Sequence, residues 1–203
     1  MHSVKLASEE FTPSKIVCVG RNYAEHIAEL NNETPTSMVL FVKPNSAISQ
    51  QLHAEHNGEA LHYETELCFL IKNKQLAGVG LGLDLTKRSL QSALKEKGLP
   101  WERAKAFNGA ALFTEFVSCD EALAYQFNLQ IDGKEVQFGD TQLMLHDAQQ
   151  ILSEISEFMD LEDGDIIMTG TPKGVGKVTS GAIFKVTLQA AEQTLLSHQW
   201  QSR

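Results

Sequence analysis

The chain has 203 residues, 42% hydrophobic and 21% charged, the composition of a folded protein with a sizeable core rather than a disordered one. Seventeen basic residues against 26 acidic ones give a formal net charge of −9, which disfavours binding to nucleic acid through its phosphate backbone. No apolar run reaches the roughly 18 residues that a membrane helix needs, and the start, MHSVKLASEE, has no apolar stretch of the signal-peptide kind, so a cytoplasmic location is expected.

Lys15–Gly20 (KIVCVG) is a short apolar run ending in glycine and predicts a buried strand. Asn22 followed by Glu25 has the spacing of a capping box, so Tyr23–Leu30 predicts a short helix with Glu25 serving its cap. So short a helix depends on packing. With the polar Asn31–Ser37 stretch beside it, this segment is expected to close over a bound ligand. Met38–Lys43 predicts a strand stopped by Pro44, and the polar Ser46–Glu59 a loop or hairpin.

Leu61–Ile71 alternates, with Tyr63, Thr65, Leu67, Phe69 and Ile71 on one face and His62, Glu64, Glu66 and Cys68 on the other. Ala77–Leu85 predicts a glycine-spaced strand, and Ser89–Lys97 a helix ended by Gly98 and Pro100. Phe127–Ile131 and Lys134–Phe138 flank Asp132-Gly133, the signal of a type I′ hairpin. Asp147–Phe158 predicts a helix capped by Asp147, Asp165–Thr169 a buried strand, and Ala182–Leu188 a last strand. Cys18 and Cys68 fall in apolar runs and read as buried thiols; with Cys119 they form no CxxC pair and no metal spacing. Strands dominate and no βαβα alternation runs through the chain. The expectation is an α+β, mostly β fold with mixed, largely antiparallel sheets, in one domain over residues 1–203.

The glycine-rich segments fail as nucleotide motifs. In GVGLGLDL, Leu83 stands where a dinucleotide fingerprint needs its third glycine, and in GTPKGVGK the P-loop spacing is broken at Val175. The informative pair is Glu64 and Glu66. Two strand residues at i, i+2 point to one face, their bases about 7 Å apart. Such carboxylates can converge on a hard divalent cation, although an isolated pair of this kind is more often a solvated face. Asp84 closes another strand, where it can supply a third oxygen or cap the next helix. His26 and Glu29 are spaced i, i+3 on the short helix, which suits a general-base dyad or an exposed helical pair. TGTPKG after a buried strand offers backbone N–H groups and the hydroxyls of Thr169 and Thr171 to an anionic oxygen, or forms a tight turn.

GRNYxxHxxE, FxKP, the ExE strand, LDLTxR, GLPWxxAKxF and GDIIxTGTPKGVG occur here in the order found in the fumarylacetoacetate hydrolase superfamily. Over about residues 15 to 190 the chain resembles its short, single-domain members, such as the acylpyruvase and oxaloacetate-processing proteins. The resemblance implies a β-sandwich roll with flanking helices and a homodimer. It implies Mg2+ or Mn2+ on Glu64, Glu66 and Asp84, a His26–Glu29 dyad, Lys105 facing substrate and Thr171 on the substrate carboxylate. It also implies that Arg21, Arg88 and Gln91 lie near the pocket. Two departures stand out. Glu66 and Asp84 are only 18 residues apart where relatives carry an added helical excursion, and Asn108 stands where many have aspartate.

The implied chemistry is that of a small 2-oxo acid passing through an enolate whose charge the divalent ion stabilises as a Lewis acid. With no aromatic cluster suggesting a bulky acyl site, oxaloacetate keto–enol tautomerisation is the expected reaction. Acylpyruvate hydrolysis or oxaloacetate decarboxylation is the alternative, and a non-catalytic metal- or metabolite-binding protein is the alternative of another class.

Overall fold

A computed structural model describes residues 1–30 and 35–203; residues 31–34 of the segment expected to close over a ligand lie outside them. Two main sheets are joined by one apolar cluster. The larger runs in the order Ala111–Phe113, Gln75–Asp84, Thr65–Lys72, Ile166–Met168, Lys15–Gly20, Val39–Pro44, with Val117–Ser118 also on Gln75–Asp84. Ile166–Met168 and Lys15–Gly20 pair in parallel; the other neighbours are antiparallel. The smaller sheet, Lys134–Asp140, Tyr125–Ile131, Ile183–Ala190, Gln193–Gln201, is antiparallel throughout. This is the mixed, mostly β architecture expected. Among the described residues no helix is long and apolar enough to cross a membrane.

Between the sheets, Leu67, Phe69, Ile71, Val79, Leu81 and Leu83 meet Phe127, Leu129, Phe184, Val186 and Leu188. Ile183–Ala190 buries its even positions and turns the odd ones outward, as a sheet with one wet face does. The larger sheet is also covered on its other face, where Ile16, Cys18, Cys68, Leu70, Ile166 and Met168 pack with Val4, Phe11, Ile48, Phe113 and Phe116. Burial on both faces explains why KIVCVG and DIIMT read as continuous apolar runs. Cys18 and Cys68 are buried as expected, and burial pushes both thiols up from the usual range.

The glycines of GVGLGLDL serve packing. A Cβ on Gly82 would stand 2.9 Å from Cys68 Sγ and 2.9 Å from the Leu112 carbonyl oxygen. Asp132 and Gly133, at φ 49° and 82°, make the expected two-residue hairpin turn. Asp147 caps the Ala148–Ser156 helix in a full capping box with Gln150.

The start of the first helix differs from expectation. The helix is Ala24–Glu29, and its N-cap residue, Tyr23, makes no side-chain cap bond. Asn22 is fully buried and satisfies its amide elsewhere. It donates to the carbonyls of His146 (3.0 Å) and Thr169 (2.8 Å) and accepts from the His146 N–H (2.8 Å). A buried amide held by three remote backbone partners is not free to turn onto its own helix. Glu25 is exposed and pairs with Lys173 at 3.2 Å.

Candidate active site

The hairpin of Thr65–Lys72 and Gln75–Asp84 brings the three acids together. It turns tightly at Asn73-Lys74, both at positive φ, so strand register fixes what faces what. Glu66 pairs with Gly82, and the Asp84 N–H donates to the Glu64 carbonyl at 2.8 Å. Side chains 64, 66 and 84 therefore share a face, and one carboxylate oxygen from each lies within 4.8 Å of the other two, all three residues buried. The 18-residue spacing is that of a plain hairpin, and it leaves the cluster intact.

Cations surround the triad. Lys105, from the one-turn Glu102–Lys105 helix, places Nζ 2.7 Å from Glu64 Oε2, 2.7 Å from Asp84 Oδ2 and 2.7 Å from Thr86 Oγ1. Arg88 reaches Glu64 Oε1 through Nη2 and Gln91 through Nη1 at 2.8 Å. Lys43, fully buried, sets Nζ 2.8 Å from Asp84 Oδ1 as an ion pair without hydrogen-bond alignment. It also donates to the carbonyls of Lys105 and, at 3.1 Å, Ala110. Glu66 Oε2 accepts the Gly170 N–H at 2.8 Å.

These partners split the carboxylates electrostatically. Burial alone would push Glu64 up, but the charges of Lys105 and Arg88 outweigh it and hold the group well below the usual carboxylate range. Burial, followed by the charges of Asp84 and Glu64, pushes Glu66 well above that range. Burial also opposes the Lys105 charge, yet Asp84 and Glu64 prevail and raise it to about 12.

His26 Nδ1 lies 3.0 Å from Glu29 Oε2, so the dyad forms, and Glu29 Oε1 accepts the Gly174 N–H at 2.9 Å. The first helix is thereby joined to the TGTPKGVG loop. The Thr171 hydroxyl donates to the Thr65 carbonyl at 2.8 Å and accepts from Gln137 Nε2 at 2.9 Å. Thr169 donates to the Leu67 carbonyl.

One pocket is lined by Arg21, His26, Glu64, Glu66, Asp84, Arg88, Gln91, Lys105 and Thr171, with Glu29 behind His26. All ten sequence-derived candidates are thus brought together. Asn108 is exposed and outside the pocket lining. Sequence reasoning missed Lys43, Thr86, Lys95 and Gln137; the Gly170 N–H is one of the TGTPKG backbone donors expected to serve an anionic oxygen, and it serves the Glu66 carboxylate. Sequence reasoning also missed the aromatic wall: Phe41 and Trp101 line the pocket with ring centroids 5.8 Å apart. Both stand in segments quoted as motifs, FVKP and GLPW, so the signal was there without a role attached.

The sequence profile described as "Fumarylacetoacetate (FAA) hydrolase C-terminal" matches residues 15–198. The chain is 36% identical over 211 residues to the oxaloacetate tautomerase YcgM of Escherichia coli, covering 95% of this chain and 96% of that protein. It is 35% identical over 192 residues to a mitochondrial oxaloacetate decarboxylase of Dictyostelium discoideum, covering 86% and 88%. The solved structure of fumarylpyruvate hydrolase from Pseudomonas aeruginosa, in complex with Mn2+ and pyruvate, superposes with a TM-score of 0.86 at 28% identity, covering 99% and 95%. Profile, relatives and fold agree: the chain belongs to the fumarylacetoacetate hydrolase family.

Proposed function

We propose that this chain is a divalent-metal-dependent enzyme acting on short 2-oxo acids, and that it interconverts the keto and enol forms of oxaloacetate. The observation that carries the reading is the convergence of three buried carboxylates within 4.8 Å, in a pocket also walled by His26 and basic side chains. The donor set is all oxygen, which suits Mg2+ or Mn2+ over ions that prefer thiolate or imidazole. Glu66, whose charge burial, Asp84 and Glu64 all disfavour, is the carboxylate that gains most from a cation beside it. A divalent ion there would polarise the 2-oxo group and stabilise the negative charge that develops on its oxygen. The E. coli relative named a tautomerase and the Mn2+ of the Pseudomonas structure support the same reading.

The chain's own residues divide the remaining work. Tautomerisation takes a proton from the enol oxygen and sets one on C3, with no net change in atoms. His26 is the group placed to exchange it, because Glu29 holds Nδ1 and leaves Nε2 to the pocket. Lys105 stays charged, and its three contacts use its three N–H groups, so it acts as a fixed positive charge. Arg21, Arg88 and Gln91 bind the anionic substrate. The Thr171 hydroxyl is committed to Thr65 and Gln137, so Thr171 meets a carboxylate through its backbone N–H. A homodimer in the cytoplasm is the state in which we expect it to work.

The Phe41–Trp101 wall favours a second reading, hydrolysis of an acylpyruvate with its apolar end on these rings. The test follows enol-oxaloacetate loss with and without Mg2+, with pyruvate release in parallel and acetylpyruvate as a second substrate. Mg2+-dependent enol loss without pyruvate is expected. Rapid acetylpyruvate cleavage without tautomerisation puts hydrolysis in its place, and pyruvate formed in step with oxaloacetate loss makes it a decarboxylase. Inactivity on all three leaves a binding protein.

A further inference from the structure

The loop that brings Thr171 to the pocket is held by a residue outside the pocket lining. Gln137, 1% exposed, belongs to the Lys134–Asp140 strand of the smaller sheet. Its one amide makes three bonds. Oε1 accepts the Thr65 N–H at 3.0 Å, and Nε2 donates to Thr171 Oγ1 at 2.9 Å and to the Pro172 carbonyl at 3.0 Å. Both Nε2 hydrogens are used. We infer that Gln137 is a positioning residue for substrate. It holds the TGTPKG turn at the setting in which the Thr171 backbone N–H meets the carboxylate of a 2-oxo acid, and it does so without touching that acid.

Strand register explains how a residue of the second sheet reaches this loop. Leu129 pairs with Gln137 and Gln130 with Glu135, so Val136 is the extra residue of a β-bulge. A bulge re-aims the side chains beside it, and here Gln137 is buried while Phe138 is exposed. Val136 also seats the loop. A Cβ on Gly174, at φ 97°, would stand 2.0 Å from the Val136 carbonyl oxygen, an approach that only glycine allows. The Thr171 hydroxyl has one hydrogen and gives it to the Thr65 carbonyl at 2.8 Å, so the Gln137 amide donating to the same oxygen fixes its rotation. Thr65, the residue between Glu64 and Glu66, is thereby bonded at both its N–H and its carbonyl.

Without Gln137 the loss falls on the loop rather than on the triad. The Thr65–Lys72 strand keeps its ladder with Gln75–Asp84, Thr65 opposite Leu83 and Glu66 opposite Gly82, and the Asp84 N–H stays on the Glu64 carbonyl. The loop follows a strand that ends at Met168. Between Gly170 and Gly174 it is tied through the side chains of Glu66, Thr171, Gln137 and Glu29.

The inference rests on the proposed 2-oxo acid site, and its test separates the two. Mn2+ is titrated by calorimetry into chelator-treated wild type and Gln137→Met, and oxalate, a stable mimic of a 2-oxo acid head, into the Mn2+-loaded proteins. Gln137→Met removes all three bonds at nearly unchanged volume. Oxalate affinity is expected to fall about tenfold, the scale of a lost hydrogen bond, with Mn2+ affinity within about twofold of wild type. Thr171→Val, which removes the hydroxyl and keeps the backbone N–H, should weaken oxalate similarly. The double variant should fall no more than about twofold below the weaker single, because both changes cut one tie. Oxalate affinity unchanged in Gln137→Met overturns the role. So does equal weakening of Mn2+ and oxalate, which a loosened fold would give, and so do losses that multiply in the double variant. If Gln137→Met does not fold, Gln137→Asn, with its amide one methylene too short to span strand and loop, takes its place under the same outcomes. No Mn2+-dependent oxalate binding by wild type rejects the 2-oxo acid site and the inference with it; oxalate bound by wild type and unmoved by the substitution rejects Gln137 alone.

Discussion

Lys43→Met removes a cation that the fold cannot replace. Its ammonium is fully buried, 2.8 Å from Asp84 Oδ1, and bonded to the carbonyls of Lys105 and Ala110. Lys105 stays on Asp84 Oδ2, but Oδ1 loses its cation and the carbonyls of Lys105 and Ala110 lose a donor; breaking a buried pair in this way costs about 3–5 kcal/mol. At about 2.1 cal/mol/K per residue, a chain of 203 residues has a melting entropy near 0.43 kcal/mol/K, so the midpoint should fall by about 7–12 °C. The assay is thermal unfolding in chelator, with Lys74→Met as the control. Lys74 and Asp160, 3.6 Å apart, are largely exposed, and an exposed pair is worth so little that the control should stay within about 2 °C. A Lys43→Met midpoint within about 2 °C of wild type refutes the reasoning, because the buried ammonium would then hold nothing.

His26→Ala should lower tautomerisation about 10²-fold, the usual cost of a lost proton carrier, because Lys105 is charged and saturated; activity within threefold of wild type would pass the proton to another group. Asp165 is buried and accepts from the N–H groups of Ser14, Lys15 and Glu162, from Ser14 Oγ and from Lys15 Nζ at 2.6 Å. Burial opposes its charge, but Lys15 and the other donors prevail and hold its carboxyl below the ordinary aspartate value. Its stabilisation is therefore complete above the unfolded-state value and is lost as pH falls through the folded one. Asp165→Asn should lose about 1.5–3 kcal/mol at neutral pH, with urea-unfolding curves of the two proteins converging in acid; a gap that persists at low pH contradicts this.

Much of the site was legible because it is written in local pattern. Strand alternation puts Glu64 and Glu66 on one face, and the hairpin sets Asp84 opposite Glu64. What stayed illegible depends on remote partners. Lys43 reads as the end of an apolar strand, and only the fold shows its head against Asp84. Gln137 is the sharper case. Its strand turns Phe138 outward, 47% exposed, and Gln137 inward, against the apolar-in rule. The reason lies at the Thr65 N–H and the Thr171 hydroxyl, both bonded by this one amide, and at Gly139, which gives its space to the Phe127 ring. The Asn22 cap failed likewise, because burial drew its amide to His146 and Thr169. The Gln193–Gln201 strand, mostly exposed at a sheet edge, lacks the alternation that would have announced it.

The central claim is that Glu64, Glu66 and Asp84 hold a divalent cation. Calorimetric titration of Mn2+ into chelator-treated wild type and Glu66→Gln, at neutral and mildly acidic pH, tests it most directly. Because burial and the charges of Asp84 and Glu64 push Glu66 well above the usual carboxylate range, wild type should bind more weakly as pH falls. Glu66→Gln should lose affinity at least about tenfold, a floor set by what second-shell changes alone cost, and show less of that pH dependence. Wild-type affinity retained in Glu66→Gln would contradict the account.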